Sequence, residues 1–364
     1  MPDPLLRTAC HAWHVSHGGR MVDFAGWEMP VQYTSIVAEH HAVRRAAGLF
    51  DIAHMGRLRF TGPDAVKLLE RLVTNDVAGL AVGQVKYALV TNEAGGILDD
   101  VLVYRLADCH LLVVNASNRL KIMAWIERHR AGFNATVEDQ TISHFMLALQ
   151  GPKAQELLQP LVETDLGQIK YYFGTPARVQ GESGFVSRTG YTGEDGFEVI
   201  VPATRASALW EALFAGGSPV GLLPAGLGSR DTLRLEAGMP LYGHELNETI
   251  DPFTAGLGFA VRMDKGEFIG RAALIAAKAN PNRQRRVGLE LGSKRIAREG
   301  ALVFQDQEQV GRVTSGTFSP TLERSIAMAY VARPAAALGA ALTVDIRGQR
   351  EPAKVVKLPF YKRT

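Results

Sequence analysis

Cysteine is nearly missing from this chain. Cys10 and Cys109 are the only two among 364 residues. Two thiols so far apart cannot frame a disulfide scaffold or a cysteine-rich metal cluster, and they suit a reducing compartment. Metal-ligand spacing is lacking too: the ten histidines include the pair His40-His41 but no HExxH pattern, which argues against a metal enzyme. Neither charge sign dominates. The 40 basic and 37 acidic residues leave a formal +3, whereas a dedicated nucleic-acid binder carries a concentrated basic stripe. No apolar run reaches the roughly 20 residues that span a bilayer. The start, Met1-Pro2-Asp3-Pro4-Leu5-Leu6, has no basic stretch leading into an apolar core, so it does not read as a secretory leader, and it is not an Arg-rich transit segment.

What is present is an ordinary globular balance, 46% hydrophobic and 21% charged. The length exceeds one core of typical size and predicts two or three domains. The first fifty residues are dense in Gly and Pro. Ser35 to Arg45 reads as a helix capped by Ser35. A strand at 57–61 leads to an amphipathic helix, Pro63–Leu72, with Ala65, Leu68, Leu69 and Leu72 on one side. Strands near 85–90, 100–105 and 110–114 precede a helix from about Asn118 to His129. This β-α-β-β-α-β rhythm over 51–140 predicts a ferredoxin-like α+β unit. A second unit of similar rhythm follows: strand His144–Gln150, a helix near Lys153, strands near 177–180 and 184–189, strand 197–201 and helix Thr204–Phe214. The polar stretch Asn280–Arg286 reads as a linker. Beyond it, short alternating runs (287–291, 301–304, 309–313, 326–331, 341–347, 352–357) predict an all-β barrel or sandwich.

Four segments stand out chemically. Asn92-Glu93-Ala94-Gly95-Gly96-Ile97-Leu98-Asp99-Asp100 runs a diglycine turn into two carboxylates that open a strand. Alternation then sends Asp99 and Asp100 to opposite faces, one outward and one inward. An inward carboxylate carries a dehydration cost that a partner must offset. Such a run is equally a hairpin with polar turn residues. Arg188–Glu198 sets three glycines within seven residues beside a tyrosine and acids, a glycine-rich hairpin or a site where backbone approaches a ligand. Gly226–Gly238 sets Arg230, Asp231, Arg234 and Glu236 among leucines, a pattern in which arginine usually pairs with a carboxylate. Thr314–Leu322 holds five hydroxyl residues with no histidine–acid pairing to make one a nucleophile, and reads as a tight turn.

Taken in order, Met21–Trp27, Phe50-Asp51-Ile52-Ala53-His54-Met55-Gly56, Asn92–Asp100, Arg188–Glu198, Arg230–Gly238 with Leu241-Tyr242-Gly243, and Thr314–Leu322 resemble the T-protein family, the aminomethyltransferases of the glycine cleavage system. The resemblance runs from about Leu5 to Phe360. It implies an α+β fold of three domains in a cloverleaf, two ferredoxin-like α+β units followed by a C-terminal all-β barrel. The expected division is 1–50 with 141–280 as a discontinuous first domain, 51–140 as a second and 281–364 as the barrel. It also implies transfer of a one-carbon unit from an aminomethyl group on a lipoylated carrier, the H-protein, to tetrahydrofolate. The products are ammonia and 5,10-methylenetetrahydrofolate.

Carried over residue by residue, Asp100 matches the family's key aspartate facing the folate N5/N10 region. Glu198 and Arg230 match its substrate-binding acid and arginine. Tyr87, Asn115, Tyr191 and the pair Tyr171-Tyr172 match folate-lining positions. The cofactor expectation is tetrahydrofolate as co-substrate, without metal or flavin; no membrane or nucleic-acid partner is expected. The basic stretch Arg283–Arg286 is a linker or a docking point for an acidic carrier. Two other functions fit the motifs: a folate-binding paralogue of the iron–sulfur assembly type that does not transfer aminomethyl groups, and a noncatalytic scaffold for the lipoyl carrier. The short stretch before Leu5 favours a bacterial cytoplasmic protein; a processed form from the mitochondrial matrix would look the same.

Overall fold

The computed structural model describes residues 4–363. The chain divides into two compact units. One holds residues through Glu70, Asp76–Tyr87 and Val101–Arg230; the other holds Arg71–Asn75, Ala88–Asp100 and the residues from Asp231 on.

The first unit is built on a six-stranded sheet in the order Gly174–Val179, Glu182–Ser187, Gly196–Pro202, His144–Gln150, Ala47–Asp51, Leu222–Pro224. Neighbours are antiparallel except the last pair, in which Leu222–Pro224 runs parallel to Ala47–Asp51. His144–Gln150 is buried along almost its whole length, as a strand covered on both faces must be. Leu147, Leu149, Phe197 and Val199 form one core with Leu158, Leu209, Trp210 and Leu213 from helices Ala154–Leu158 and Ala206–Gly217. Helix Ile36–Arg45 begins where its sequence predicts, with the Ser35 hydroxyl accepting from the Ala38 N–H at 3.1 Å.

A five-stranded sheet is ordered Val85–Thr91, Ile97–Arg105, His110–Val114, Gly56–Thr61, Thr136–Asp139. It has one strand more than the expected β-α-β-β-α-β rhythm. Helix Ala65–Leu72 buries the expected stripe of Ala65, Leu68, Leu69 and Leu72.

In the second unit, six strands close a barrel in the order Arg285–Leu291, Arg324–Val331, Glu308–Ser319, Leu302–Gln305, Ala341–Ile346, Gln349–Val356. Closure comes from Gln349–Val356 pairing back onto Arg285–Leu291. Alternate residues of each strand fill the interior: Val287, Leu289 and Leu291; Ala327, Ala329 and Val331; Leu342, Val344 and Ile346; Ala353 and Val355. The period of two is the one a barrel strand needs to send every second side chain inward.

Two expectations hold only in part. Thr314–Leu322 is a tight turn only at its end, where residues 320–322 lie in a hairpin turn; residues through Ser319 belong to the long strand Glu308–Ser319, whose register shifts between Val313 and Ser315. The linker is also shorter than read, because Arg285 and Arg286 are already barrel strand. In both places the hydroxyl or basic composition suggested a loop, and long-range strand pairing overrides it.

Candidate functional site

In the first unit, the strands Glu182–Ser187 and Gly196–Pro202 flank the glycine-rich loop. The loop is shaped from beneath by Gln150, which is fully buried. Its Nε2 donates to the Thr189 carbonyl at 3.1 Å and its Oε1 accepts from the Thr192 hydroxyl at 3.0 Å. A Cβ at position 190 would lie 1.9 Å from Gln150 Oε1, so a side chain there would have to displace Gln150 from its hydrogen bonds to the loop. Arg188 and Asp195 close the loop's base as a two-pronged ion pair, with Nε to Oδ1 at 2.9 Å.

Glu198 stands on the strand leaving this loop and is 6% exposed. Its Oε2 accepts from the Tyr104 hydroxyl at 3.3 Å and from the Thr189 hydroxyl; Ser187 and Thr189 share a hydrogen bond of 2.8 Å. Among the described residues, no hydrogen bond reaches Oε1. Burial pushes the Glu198 carboxyl above its ordinary range, against the lowering influence of Thr189, Arg230 and Tyr104. Arg230 is half-buried, and its Cζ lies 4.8 Å from the centre of the Tyr191 ring, within cation–π range. Burial lowers the Arg230 guanidinium, and Glu198 and Tyr191 act in the opposite direction.

The structure thus brings Glu198, Arg230 and Tyr191 together in one unit. Tyr171 is 54% exposed and meets Tyr172 edge-on at 4.8 Å. Tyr172 has φ of +60°, a conformation that costs a non-glycine residue on the order of 1 kcal/mol. Its backbone is held on both sides, by the Arg188 carbonyl at 3.0 Å and the Val85 N–H at 2.8 Å. Tyr87 is half-buried on Val85–Thr91, and half-buried Asn115 precedes the short 3-10 turn Ala116–Asn118. Sequence reasoning missed Tyr104, Thr189 and Gln150. Thr189 borders Gly190, which was a usable signal; Tyr104 lies 94 positions from Glu198, beyond the reach of local pattern.

In the second unit, the diglycine turn is real. Asn92 closes it, its N–H donating to the Gly96 carbonyl at 2.9 Å and its side chain accepting from the Gly96 N–H at 2.8 Å. A Cβ at position 96 would lie 1.8 Å from the Glu248 carbonyl oxygen. The Ile97 N–H is shared by the carbonyls of Asn247 and Ile250 at 3.1 Å. Strand Ile97–Arg105 leaves this turn with Asp99 fully buried and Asp100 half-buried, so the two carboxylates do face differently.

Comparison with known proteins gives this arrangement its class. Residues 10–265 match the GCVT N-terminal domain, and residues 284–362 match the glycine cleavage T-protein C-terminal barrel domain. The chain belongs to the glycine cleavage T-protein family. A Symbiobacterium thermophilum protein named aminomethyltransferase is 50% identical over 370 residues, covering 100% of this chain and 99% of that one. A Rubrobacter xylanophilus protein of the same name is 50% identical over 360 residues, covering 99% and 95%. The crystal structure of glycine cleavage system aminomethyltransferase T from Bartonella henselae superposes with a TM-score of 0.92 at 35% identity, covering 98% of each chain.

Proposed function

We propose that this chain transfers a one-carbon unit from the aminomethyl-lipoyl arm of an H-protein to tetrahydrofolate. Two bonds form to the methylene carbon, from folate N5 and N10. Two break, to the amine and to sulfur. The protons lost from N5 and N10 leave with ammonia and the dihydrolipoyl thiol, and the product is 5,10-methylenetetrahydrofolate. Little covalent chemistry falls to the protein. Orientation of the two reactants is its main contribution, on the order of 7–11 kcal/mol at best.

The observation that carries this reading is the buried Glu198 carboxylate with Oε1 open, beside an arginine stacked on Tyr191. A carboxylate suits the amino-pyrimidine edge of a pterin, which presents N–H donors. Asp100 is assigned to the N5/N10 region, where a carboxylate orients the amine and stabilises positive charge as ammonia leaves. Tyr87, Asn115, Tyr171, Tyr172 and Tyr191 are assigned to the folate surface. A bacterial cytoplasmic setting accords with the bacterial relatives.

For the acidic carrier we assign the basic face of the barrel. Arg285, Arg286 and Arg333 line an open cavity of about 400 Å³. Burial and the like charges of Arg283 and Arg333 lower the Arg285 guanidinium. Among the described residues, no carboxylate forms an ion pair with any of these four arginines. If the assignment holds, raising salt raises the carrier's KM.

The test is a tetrahydrofolate titration followed by an assay of ammonia release from loaded carrier. Failure to bind folate refutes the proposal. Folate binding without ammonia release identifies the non-transferring paralogue, and carrier binding without folate binding identifies the scaffold.

A further inference from the structure

Helix Ile36–Arg45 reaches two places in the first unit. From its first turn, Glu39, fully buried, accepts at Oε2 from the Gly226 N–H at 2.9 Å and from the Ser229 hydroxyl at 3.1 Å, and at Oε1 from the Tyr33 N–H at 2.7 Å. Gly226 and Ser229 sit at the start of helix Leu227–Glu236, which carries Arg230, and the Arg230 N–H donates to the Gly226 carbonyl at 3.1 Å. A buried carboxylate there both satisfies an orphan N–H and complements the positive end of the helix. The two helices also touch closely: a Cβ at position 228 would lie 2.6 Å from Ile36 Cδ1.

From the last turn of the same helix, Arg44 grips the glycine-rich loop. Its Nη1 donates to the Thr192 carbonyl at 2.8 Å and to Glu194 Oε1 at 2.9 Å. Both charged side chains are nearly buried, at 5% and 6% exposure. Thr192 follows Tyr191 directly, and the Arg230 guanidinium lies over the Tyr191 ring. A helix of 10 residues therefore holds both members of that stack, one from each end.

We infer that Glu39 and Arg44 are positioning residues, which set the Arg230–Tyr191 stack for ligand binding while touching no substrate themselves. The inference rests on the proposed folate reading of that stack. Its mechanism is geometric. Glu39 fixes the helix start that aims Arg230, and Arg44 fixes the loop that presents Tyr191.

The experiment is a double-mutant cycle on full-length protein, read by tetrahydrofolate titration and by thermal melting. Arg44→Met should weaken folate binding roughly tenfold, the loss expected when a charged hydrogen-bonded anchor is removed. Arg44→Lys should recover part of that loss, since it keeps the charge but not the two-way grip. In a Tyr191→Ala background, Arg44→Met should change affinity less than about twofold, because the group it positions is already gone. A general structural role predicts instead that the two affinity losses multiply and the melting temperature falls alike in both backgrounds; that result overturns the inference. Glu39→Gln, which keeps one acceptor, should show the same dependence on Arg230. A fluorotyrosine placed at position 191 gives a readout independent of folate. Its resonance should move in Arg44→Met, and an unmoved resonance also overturns the inference. If the unaltered protein does not bind tetrahydrofolate, the functional reading falls while the resonance still decides the positioning.

Discussion

Replacing Glu198 by Gln keeps the shape of the side chain and removes its charge, and the two consequences should run in opposite directions. Both hydroxyls that donate to this carboxylate, those of Tyr104 and Thr189, go to Oε2. A glutamine can keep its carbonyl oxygen toward them and must then turn an NH2 donor toward any ligand that itself presents N–H groups. The loss of one charge-assisted hydrogen bond is worth about 1.5–3 kcal/mol, which is roughly a 10- to 150-fold weaker Kd for tetrahydrofolate. The unliganded protein should respond the other way. Burial raises the folded-state pKa of Glu198 above its ordinary 4.5. The stability of this acid is therefore fully present below about pH 4.5 and is lost as pH rises through the folded value. Near neutral pH the unaltered protein carries that penalty, and the glutamine variant does not. Fluorescence titration and thermal melting at about pH 7.5 together test the reasoning: weaker folate binding with a melting temperature at or above the parent's is expected. A lower melting temperature with unchanged folate affinity would refute it and make Glu198 a structural acid.

Three further outcomes are expected. Asp100→Asn should lower kcat far more than Asp99→Asn, which acts on a fully buried residue and should register mainly in the melting temperature; equal effects on kcat contradict the assignment. Removing the cation of the buried pair of Arg234 and Glu245, 2.9 Å apart, as in Arg234→Met, should cost about 3–5 kcal/mol in denaturant unfolding because it strands the buried Glu245 charge, and a cost below about 1 kcal/mol would show the pair to be dispensable. His54 is buried, and burial with the fields of Arg230 and Arg57 lowers it to about 3 although Asp51 acts the other way. Its neutral form belongs to the fold, so its contribution is intact above about pH 6.5 and is lost as pH falls toward 3; His54→Gln should flatten that part of the stability curve by up to about 1.4 kcal/mol per pH unit, and an unchanged curve would show that His54 titrates normally.

Local chemistry was legible where it is self-contained. Ser35 caps the helix it precedes, the Ala65–Leu72 stripe is buried as its period requires, and the Asn92–Gly96 turn closes on its own hydrogen bonds. What the sequence hides is the distant partner. Nothing near Gly96 announces the Glu248 carbonyl that excludes a side chain there, and nothing near Glu39 announces Gly226 and Ser229. Thr314 and Ser315 were read as turn residues because hydroxyls favour turns. They lie in a strand because each hydroxyl finds a buried partner, Glu245 for Thr314 and Arg234 for Ser315.

The arginines at 230 and 234 differ in how much hydrogen-bonding capacity the fold leaves them. A guanidinium offers five N–H donors. Arg234, 1% exposed, engages all of them: Nε and Nη2 to Asp231 at 2.8 and 2.7 Å, Nη1 to Glu245 at 2.9 Å and to the Met239 carbonyl at 3.2 Å, and Nη2 also to Ser315 at 2.8 Å. It has no capacity left to recognise anything else. Arg230 has only a ring beneath it and the field of Glu198; among the described residues no hydrogen bond occupies its guanidinium. Arg230 is half-buried, so the donors it keeps open face outward from the fold and stay available to a ligand. That difference in remaining hydrogen-bond capacity, which sequence spacing alone could not supply, is the physical ground for the proposal that Arg230 meets the ligand while Arg234 serves the fold.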